Sequence, residues 1–268
     1  METKTIKRTN ESVHHYQILT AFTLKLLGII LMVCDHIYQM FSMFGAPIWL
    51  HYIGRIVLPI FLFMASEGFH HTRNKKRYML RLLCGFWLMG IANLLLGIYL
   101  PITGVELTNN VFGTMFLSVF CMNAVDTIIA GFRKKKMGWV FLGFIELLLP
   151  FLLYGIYIIV IGMGNLTLFR IMVLTLPTAM TVEGGFAAVL LSLAFYLLRK
   201  NRWLQLLPLI LLSILVGLSG GGFQWMMIFA AIPILLYNGQ PGRKSKYFFY
   251  IFYPAHIYLF YLISYFLH

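Results

Sequence analysis

The most regular feature of the chain is a series of apolar runs, each bounded by polar or basic residues. Runs of this length can cross ~30 Å of hydrocarbon as α-helices. They predict spans at residues 18–44, 48–69, 82–100, 111–131, 139–161, 183–198, 203–218, 223–237 and 247–267. Arg170 and Pro177 interrupt the stretch at 166–180, which favours a re-entrant piece there.

The predicted fold class is therefore all-α. We expect a polytopic integral membrane protein with about nine (8–10) transmembrane helices. A polar segment at 1–17 would lie in the cytoplasm, and residues 18–268 would form a single multipass membrane domain. Hydrophobic residues make up 60% of the chain and charged residues only 11%, which excludes a soluble globular protein.

The net charge of +13 follows the same pattern of runs. Basic residues cluster in every second connection, as the positive-inside rule requires, and this places the N-terminus inside and the C-terminus outside. The clusters are Lys4, Lys7 and Arg8; Arg73, Lys75, Lys76, Arg77 and Arg81; Arg133 to Lys136; Arg199, Lys200 and Arg202; and Arg243, Lys244 and Lys246. The positive charge therefore indicates topology, and we expect no nucleic-acid partner.

Several ionisable side chains fall inside the predicted spans. Each costs about 2.5–3.5 kcal/mol at a helix centre, so such residues are candidates for functional sites. They are Lys25, Asp35, His36, Arg55, Glu67, Asp126, Glu146, Glu183 and His256. Pairing with the basic cluster nearby would explain Asp126, Glu146 and Glu67 equally well.

Helical geometry separates the neighbours Asp35 and His36 in the stretch "VCDHIYQMF". Lys25, Met32 and His36 fall on one stripe of the helix, with Lys25 about 16 Å from His36 towards the cytoplasm. Asp35 points about 100° away from His36. The two side chains are therefore expected to meet different partners.

The second and last spans add further polar groups beside prolines. His51 and Arg55 are i,i+4 neighbours, and Pro59 frees the carbonyl group one turn before it. A deep arginine requires an anion, which is either Asp35 or a carboxylate or phosphate of a substrate. In the last span, Tyr253 and His256 lie on one face of the helix.

Three blocks of the sequence resemble the TraX family of integral membrane proteins. They are "LKLLGIILMVCDHI" (24–37), "IGRIVLPIFLFMASEGFHHTRNKKRYMLRL" (53–82) and "KYFFYIFYPAHIYLF" (246–260). The family includes the N-acetylase of conjugative pilin and is similar to multipass membrane acyltransferases that use acetyl-CoA. The resemblance implies acyl transfer and leaves the acceptor open, with a protein N-terminus and a glycan hydroxyl as the two classes.

This chemistry suggests roles for the intramembrane residues. His36 would act as the general base, with Asp35 holding Arg55 or another partner in place. His256 would be the alternative base, or would stabilise the oxyanion together with Tyr253. The candidates for binding the co-substrate acetyl-CoA are Lys25, Arg55, Arg73, Lys75, Lys76 and Arg77, and Glu67 and Glu183 are further site candidates.

We expect no metal, because the three cysteines are isolated in apolar runs and no Cys/His spacing is typical of a metal site. The expected partners are the lipid bilayer and the acyl-CoA donor, in a bacterial cytoplasmic membrane. Two other functions remain open. One is a proton-coupled transporter that uses Asp35, His36 and His256, and the other is a non-catalytic membrane partner.

Overall fold

The computed structural model describes residues 17–179, 181–244 and 246–268. The predicted polar N-terminal segment lies outside these residues except for Gln17. Within them the regular structure is helical apart from two isolated β-bridges. The α-helices are α1 (Ala21–Phe41), α2 (Trp49–Gly54), α3 (Val57–His71), α4 (Lys75–Tyr99), α5 (Val111–Arg133), α6 (Met137–Gly162), α7 (Leu166–Thr175), α8 (Gly185–Leu197), α9 (Arg202–Leu218), α10 (Ala231–Leu235) and α11 (Lys246–Leu267).

Six helical segments of the described residues are long and apolar enough to cross a membrane. They are Ala21–Phe44, Trp49–His71, Lys75–Tyr99, Val111–Arg133, Met137–Gly162 and Tyr247–Leu267. The prediction of an all-helical membrane protein is thus confirmed. The spans predicted at 183–198, 203–218 and 223–237 correspond to shorter helices: α8, α9, and a 3-10 helix (Gly222–Ala230) continued by α10.

The second span is interrupted at Arg55 and Ile56, between α2 and α3. Pro59 explains the break, because it has no N–H to bond the carbonyl of Arg55 and its ring clashes with that carbonyl. The amides of Arg55 and Ile56 bond instead to carbonyls three residues earlier, at Tyr52 and Ile53. The chain bends here, beside the polar groups of the candidate site.

Helices α7 and α8 are separated by a connection at 176–184, whose described residues (176–179 and 181–184) are not helical. The connection begins beside α4, since the indole Nε1 of Trp87 in that helix donates to the carbonyl of Thr175 over 2.9 Å. At its other end, Thr114 of α5 donates to the carbonyl of Glu183 over 2.8 Å. Side chains thus bond backbone groups that no helix satisfies, as a chain surrounded by lipid requires.

The two largest of four hydrophobic clusters in the described residues form most of the interior. The first cluster joins α1, α4, α5 and α11 and includes Ile29, Met32, Phe112, Tyr253 and Ile257. The second cluster joins α3, α8, α9 and α10. Its members include Leu62, Ala188, Leu191, Leu209 and Ile234. The candidate site lies between the two clusters.

Helix α6 packs on α5 through glycine, which gives a test of this contact. A Cβ on Gly143 would lie 2.8 Å from the backbone carbonyl oxygen of Ala124 and 2.6 Å from Ile128. We expect Gly143→Ala to separate the two helices and to cost about 1–3 kcal/mol. Gly138→Ala on the same helix is the matched control, because no atom lies within 4 Å of its added Cβ.

The measurement is thermal stability of the detergent-solubilised protein, followed by size-exclusion chromatography after heating. Gly143→Ala should aggregate at a lower temperature than the wild type, whereas Gly138→Ala should match it. Equal stability of the two variants would contradict the close α5–α6 contact.

Candidate functional site

Asp35 of α1 is bound to the bent second span. Nη2 of Arg55 lies 2.7 Å from each carboxylate oxygen of Asp35, and Nδ1 of His51 donates to Oδ1 over 3.1 Å. Nη1 of Arg55 donates to Oε1 of Gln224 over 3.2 Å. Of the two anions that the sequence left open for Arg55, the structure places Asp35 beside it. Each charge is therefore compensated within the protein.

The approach of Asp35 to the second span depends on glycine. A Cβ on Gly54 would lie 2.4 Å from each of three side-chain atoms of Asp35. Real atoms do not approach so closely, so only glycine permits this contact.

His36 and His256 lie in direct contact, away from the partners of Asp35. Nδ1 of His36 is 2.7 Å from Nε2 of His256, and the ring centroids are 4.9 Å apart. Both residues are buried, with 3% and 5% of their surface exposed. The sequence proposed them as alternatives, and the structure joins them into a pair.

The contacts of the pair determine where the hydrogens lie. Nδ1 of His256 is 2.8 Å from the carbonyl oxygen of Phe252, which can only accept, so Nδ1 carries the hydrogen. A neutral imidazole then has its lone pair on Nε2 of His256, which must accept from Nδ1 of His36. It follows that Nε2 of His36 carries no hydrogen and is a free base.

Asn109 is the remaining polar neighbour of His36. Its Nδ2 lies 3.4 Å from Nε2 of His36, a long and weak contact. Gln39 donates to Oδ1 of Asn109 over 2.8 Å, and this bond orients the amide with its nitrogen towards the imidazole. The base atom is thus positioned by one amide but is not occupied by a strong donor.

Asn109 belongs to the connection 100–110 between α4 and α5, which folds back against the helices. Ile102 and Val105 are buried in the first cluster, and the carbonyl of Leu100 accepts from the hydroxyl of Tyr261 over 2.7 Å. The predicted external loop therefore covers the histidine pair.

A cavity of ≈ 290 Å³ lies between the Asp35–Arg55 ion pair and His36. Asp35, His36, Arg55, Glu183 and Tyr253 all line it, although they come from four separate parts of the chain. The other lining residues are Met32, Gly54, Val57, Leu58, Pro59, Phe61, Leu62, Val111, Gly184, Ala187, Ala188, Leu191, Leu212, Val216, Gln224 and Met227. Pockets of about 300 Å³ and more are typical of small-molecule sites, so the cavity is at the lower end of that range.

Tyr253 and Glu183 present polar groups to this cavity. The hydroxyl of Tyr253 accepts from the backbone N–H of Val111 over 3.0 Å, which leaves its own hydrogen for another acceptor. Glu183 stands immediately before Gly184 and Gly185, whose φ values of +73° and +57° are in the left-handed region. These two glycines turn the chain into α8 beside the cavity.

The basic candidates for co-substrate binding do not line the cavity, except for Arg55. The amino group of Lys25 lies 5.6 Å from the ring centre of Phe249, near the N-terminal end of α1. Lys75 forms an ion pair with Asp126 and lies over the ring of Phe69. Arg73, Lys76 and Arg77 are exposed, and Glu67 is buried in α3.

Three contributors to the site were missed from the sequence, namely Gln39, Asn109 and Gln224. Gln39 lies one turn after His36, a spacing that could have placed it on the histidine face. Asn109 and Gln224 stand beside predicted external turns, where polar residues are ordinary. Only the tertiary fold brings them to the membrane-embedded groups.

Comparison with known proteins identifies the family of the chain. The model of the family described as "TraX protein" matches residues 21–264 of the 268. The chain belongs to the TraX family. It is an integral membrane protein, as the candidate spans indicate.

One curated relative of this TraX chain is described as "Probable fimbrial assembly protein FimC, serogroup H1", from Dichelobacter nodosus. The two are 41% identical over 68 residues, which are 24% of this chain and 27% of that protein. The match thus spans about a quarter of either protein. No solved structure matches the chain.

Proposed function

We propose that this TraX protein is a membrane-embedded acyltransferase that moves an acetyl group from cytoplasmic acetyl-CoA to an amine or hydroxyl acceptor. The observation that carries the proposal is the free lone pair on Nε2 of His36. The hydrogen bond from Nδ1 of His36 to Nε2 of His256 leaves this lone pair available. Membership of a family linked to pilin and fimbrial assembly is consistent with acylation of a surface component.

In the proposed reaction, Nε2 of His36 removes a proton as the acceptor nitrogen or oxygen attacks the thioester carbonyl carbon. The bond to sulfur breaks, and the leaving thiolate of coenzyme A takes the proton from His36. Nε2 of His256 accepts a hydrogen bond from the transient imidazolium, in the way that an orienting group supports a catalytic histidine. The hydroxyl of Tyr253 is available to donate to the developing oxyanion.

Asp35 and Arg55 have a structural role in the proposed mechanism and do not take part in the proton transfer. Because they neutralise one another and lie against the cavity, they hold α1 and the bent second span together at the level of His36. The exposed cations on the first turn of α4 and in the preceding turn would attract the phosphate groups of the donor. They are Arg73, Lys76 and Arg77.

The topology that we propose has nine crossings, with the N-terminus inside a bacterial cytoplasmic membrane. Helices α7 and α8 together would form one broken crossing, because α7 ends half-way along α4 and α8 continues beyond the connection. Helix α9 is about 26 Å long by helix rise, and the 3-10 helix with α10 returns beside it. Broken helices of this kind often line a site within a membrane.

The proposal is tested by supplying membranes that contain the protein with acetyl-CoA labelled in the acetyl group. We expect the label to appear on an acceptor protein or glycan in these membranes and not in membranes that lack the protein. The acceptor is then identified by mass spectrometry. Failure of the purified protein to bind acetyl-CoA, together with absence of labelling, would refute the proposal and favour a transporter or a non-catalytic role.

A further inference from the structure

The cavity beside His36 is larger than an acetyl group requires. Its volume is ≈ 290 Å³, whereas a water molecule takes about 30 Å³ in the liquid. The space therefore corresponds to about ten water-sized groups. An acetyl group has only one methyl beyond its carbonyl, so acetyl transfer alone leaves most of the cavity unfilled.

The cavity has a polar wall on the side of the first hydrophobic cluster and a mostly apolar wall on the side of the second. On the side of the first cluster are His36 and Tyr253, the groups that would act on a carbonyl. On the side of the second cluster the walls are mostly apolar, with the side-chain amide of Gln224 beside Met227. The apolar wall residues are Leu62, Ala188, Leu191, Leu212, Val216 and Met227.

We propose that this apolar part of the cavity binds the aliphatic chain of the acyl donor. Acetyl-CoA would then be a poorer donor in the proposed acyl transfer than a linear acyl-CoA with roughly four to eight carbons, since the volume equals about ten water-sized groups. This inference rests on the proposed function, because the carbonyl must lie beside His36 and Tyr253. The chain attached to that carbonyl then extends between α8 and α9.

An acceptor fits this part of the cavity less well. A peptide or a glycan would bring amide or hydroxyl groups against the six apolar side chains, which offer them no strong hydrogen-bond partner. Buried polar groups without partners are costly, whereas methylene groups gain free energy there. The wall chemistry therefore favours a hydrocarbon chain.

Ala187 provides a substitution that fills the space. It lines the cavity, is exposed, and lies one turn before Leu191 on the same face of α8. Ala187→Leu would place a larger side chain in the path of the acyl chain. Ala194→Leu is the matched control, because it makes the same change two turns further along α8, outside the cavity lining.

The experiment measures kcat/KM of the purified full-length protein for acetyl-, butyryl-, hexanoyl- and octanoyl-CoA with one acceptor. For the wild type we expect an increase of about fourfold per buried methylene until the cavity is full. Ala187→Leu should lower the ratio of the hexanoyl to the acetyl value by at least about tenfold. Ala194→Leu should keep the wild-type ratio, and Leu212→Ala should move the optimum to a longer chain.

Three outcomes would overturn the inference. If the acetyl donor is preferred and Ala187→Leu leaves the ratio unchanged, the donor chain does not occupy the cavity, although the proposed acyl transfer stands. If Ala187→Leu raises the KM of the acceptor equally for every donor, the cavity holds the acceptor. If the protein uses no acyl-CoA of any length, the proposed function itself fails.

Discussion

Replacing His36 by alanine is expected to reduce kcat/KM for acyl transfer by about 10²–10⁴-fold, the usual contribution of a positioned general base. The reason is the arrangement of hydrogens in the pair, which leaves the lone pair of His36 Nε2 as the proton acceptor. The effect is measured on purified protein with a labelled donor. His70→Ala is the control, because His70 is exposed at the end of α3.

His256 should behave as a positioning residue, which distinguishes the two members of the pair. His256→Ala removes the acceptor of the His36 Nδ1 hydrogen but leaves the base, so we expect a loss of about tenfold, equivalent to one hydrogen bond. His256→Gln offers an amide oxygen to His36 and should recover part of that loss. If His256→Ala abolishes activity while His36→Ala retains it, the roles are reversed.

For α1, the sequence predicted both the helix and the way its side chains are distributed around the helix axis. The spacing of Lys25, Met32 and His36 predicted one stripe of the helix, and the structure buries Met32 and His36 on that stripe. The 100° offset also correctly separated the partners of Asp35 and His36. A helix with one buried face has a clear hydrophobic periodicity, so its own sequence is enough to show which residues share that face.

The contact between His36 and His256 was beyond such reasoning. The residues are 220 positions apart, and periodicity within one helix does not specify which helix it faces. Sequence alone therefore identified two candidate bases without the pairing that assigns them different roles.

The short helices show a second limit. The apolar run at 183–198 predicted a span, but α8 begins at Gly185, the second residue of a left-handed glycine pair, and is only 13 residues long. Hydropathy depends on composition and not on backbone conformation, so it does not distinguish a full span from half of a broken one. The glycines at 184 and 185 were the local signal of the break.

Gly54→Ala is the substitution that should most damage the structure around the site. The added Cβ would overlap Cβ, Cγ and Oδ1 of Asp35, each at 2.4 Å, so α1 and α2 must separate or Asp35 must leave its position. We expect a loss of about 1–3 kcal/mol from overpacking alone. Displacing Asp35 would add to this, because Arg55 would then be left without its anion.

The matched control is Gly97→Ala, which makes the same change in α4 with no atom within 4 Å of the new Cβ. Alanine has the higher helix propensity, so this variant should equal or exceed the wild type in stability, by up to about 1 kcal/mol. Stability is measured from the monodisperse fraction after heating in detergent, and acyl transfer is measured on the same samples at low temperature. Gly54→Ala should lose both, since the displaced carboxylate lies against the cavity that contains His36. A Gly54→Ala protein as stable and as active as Gly97→Ala would mean that Asp35 does not approach the second span as closely as the structure places it.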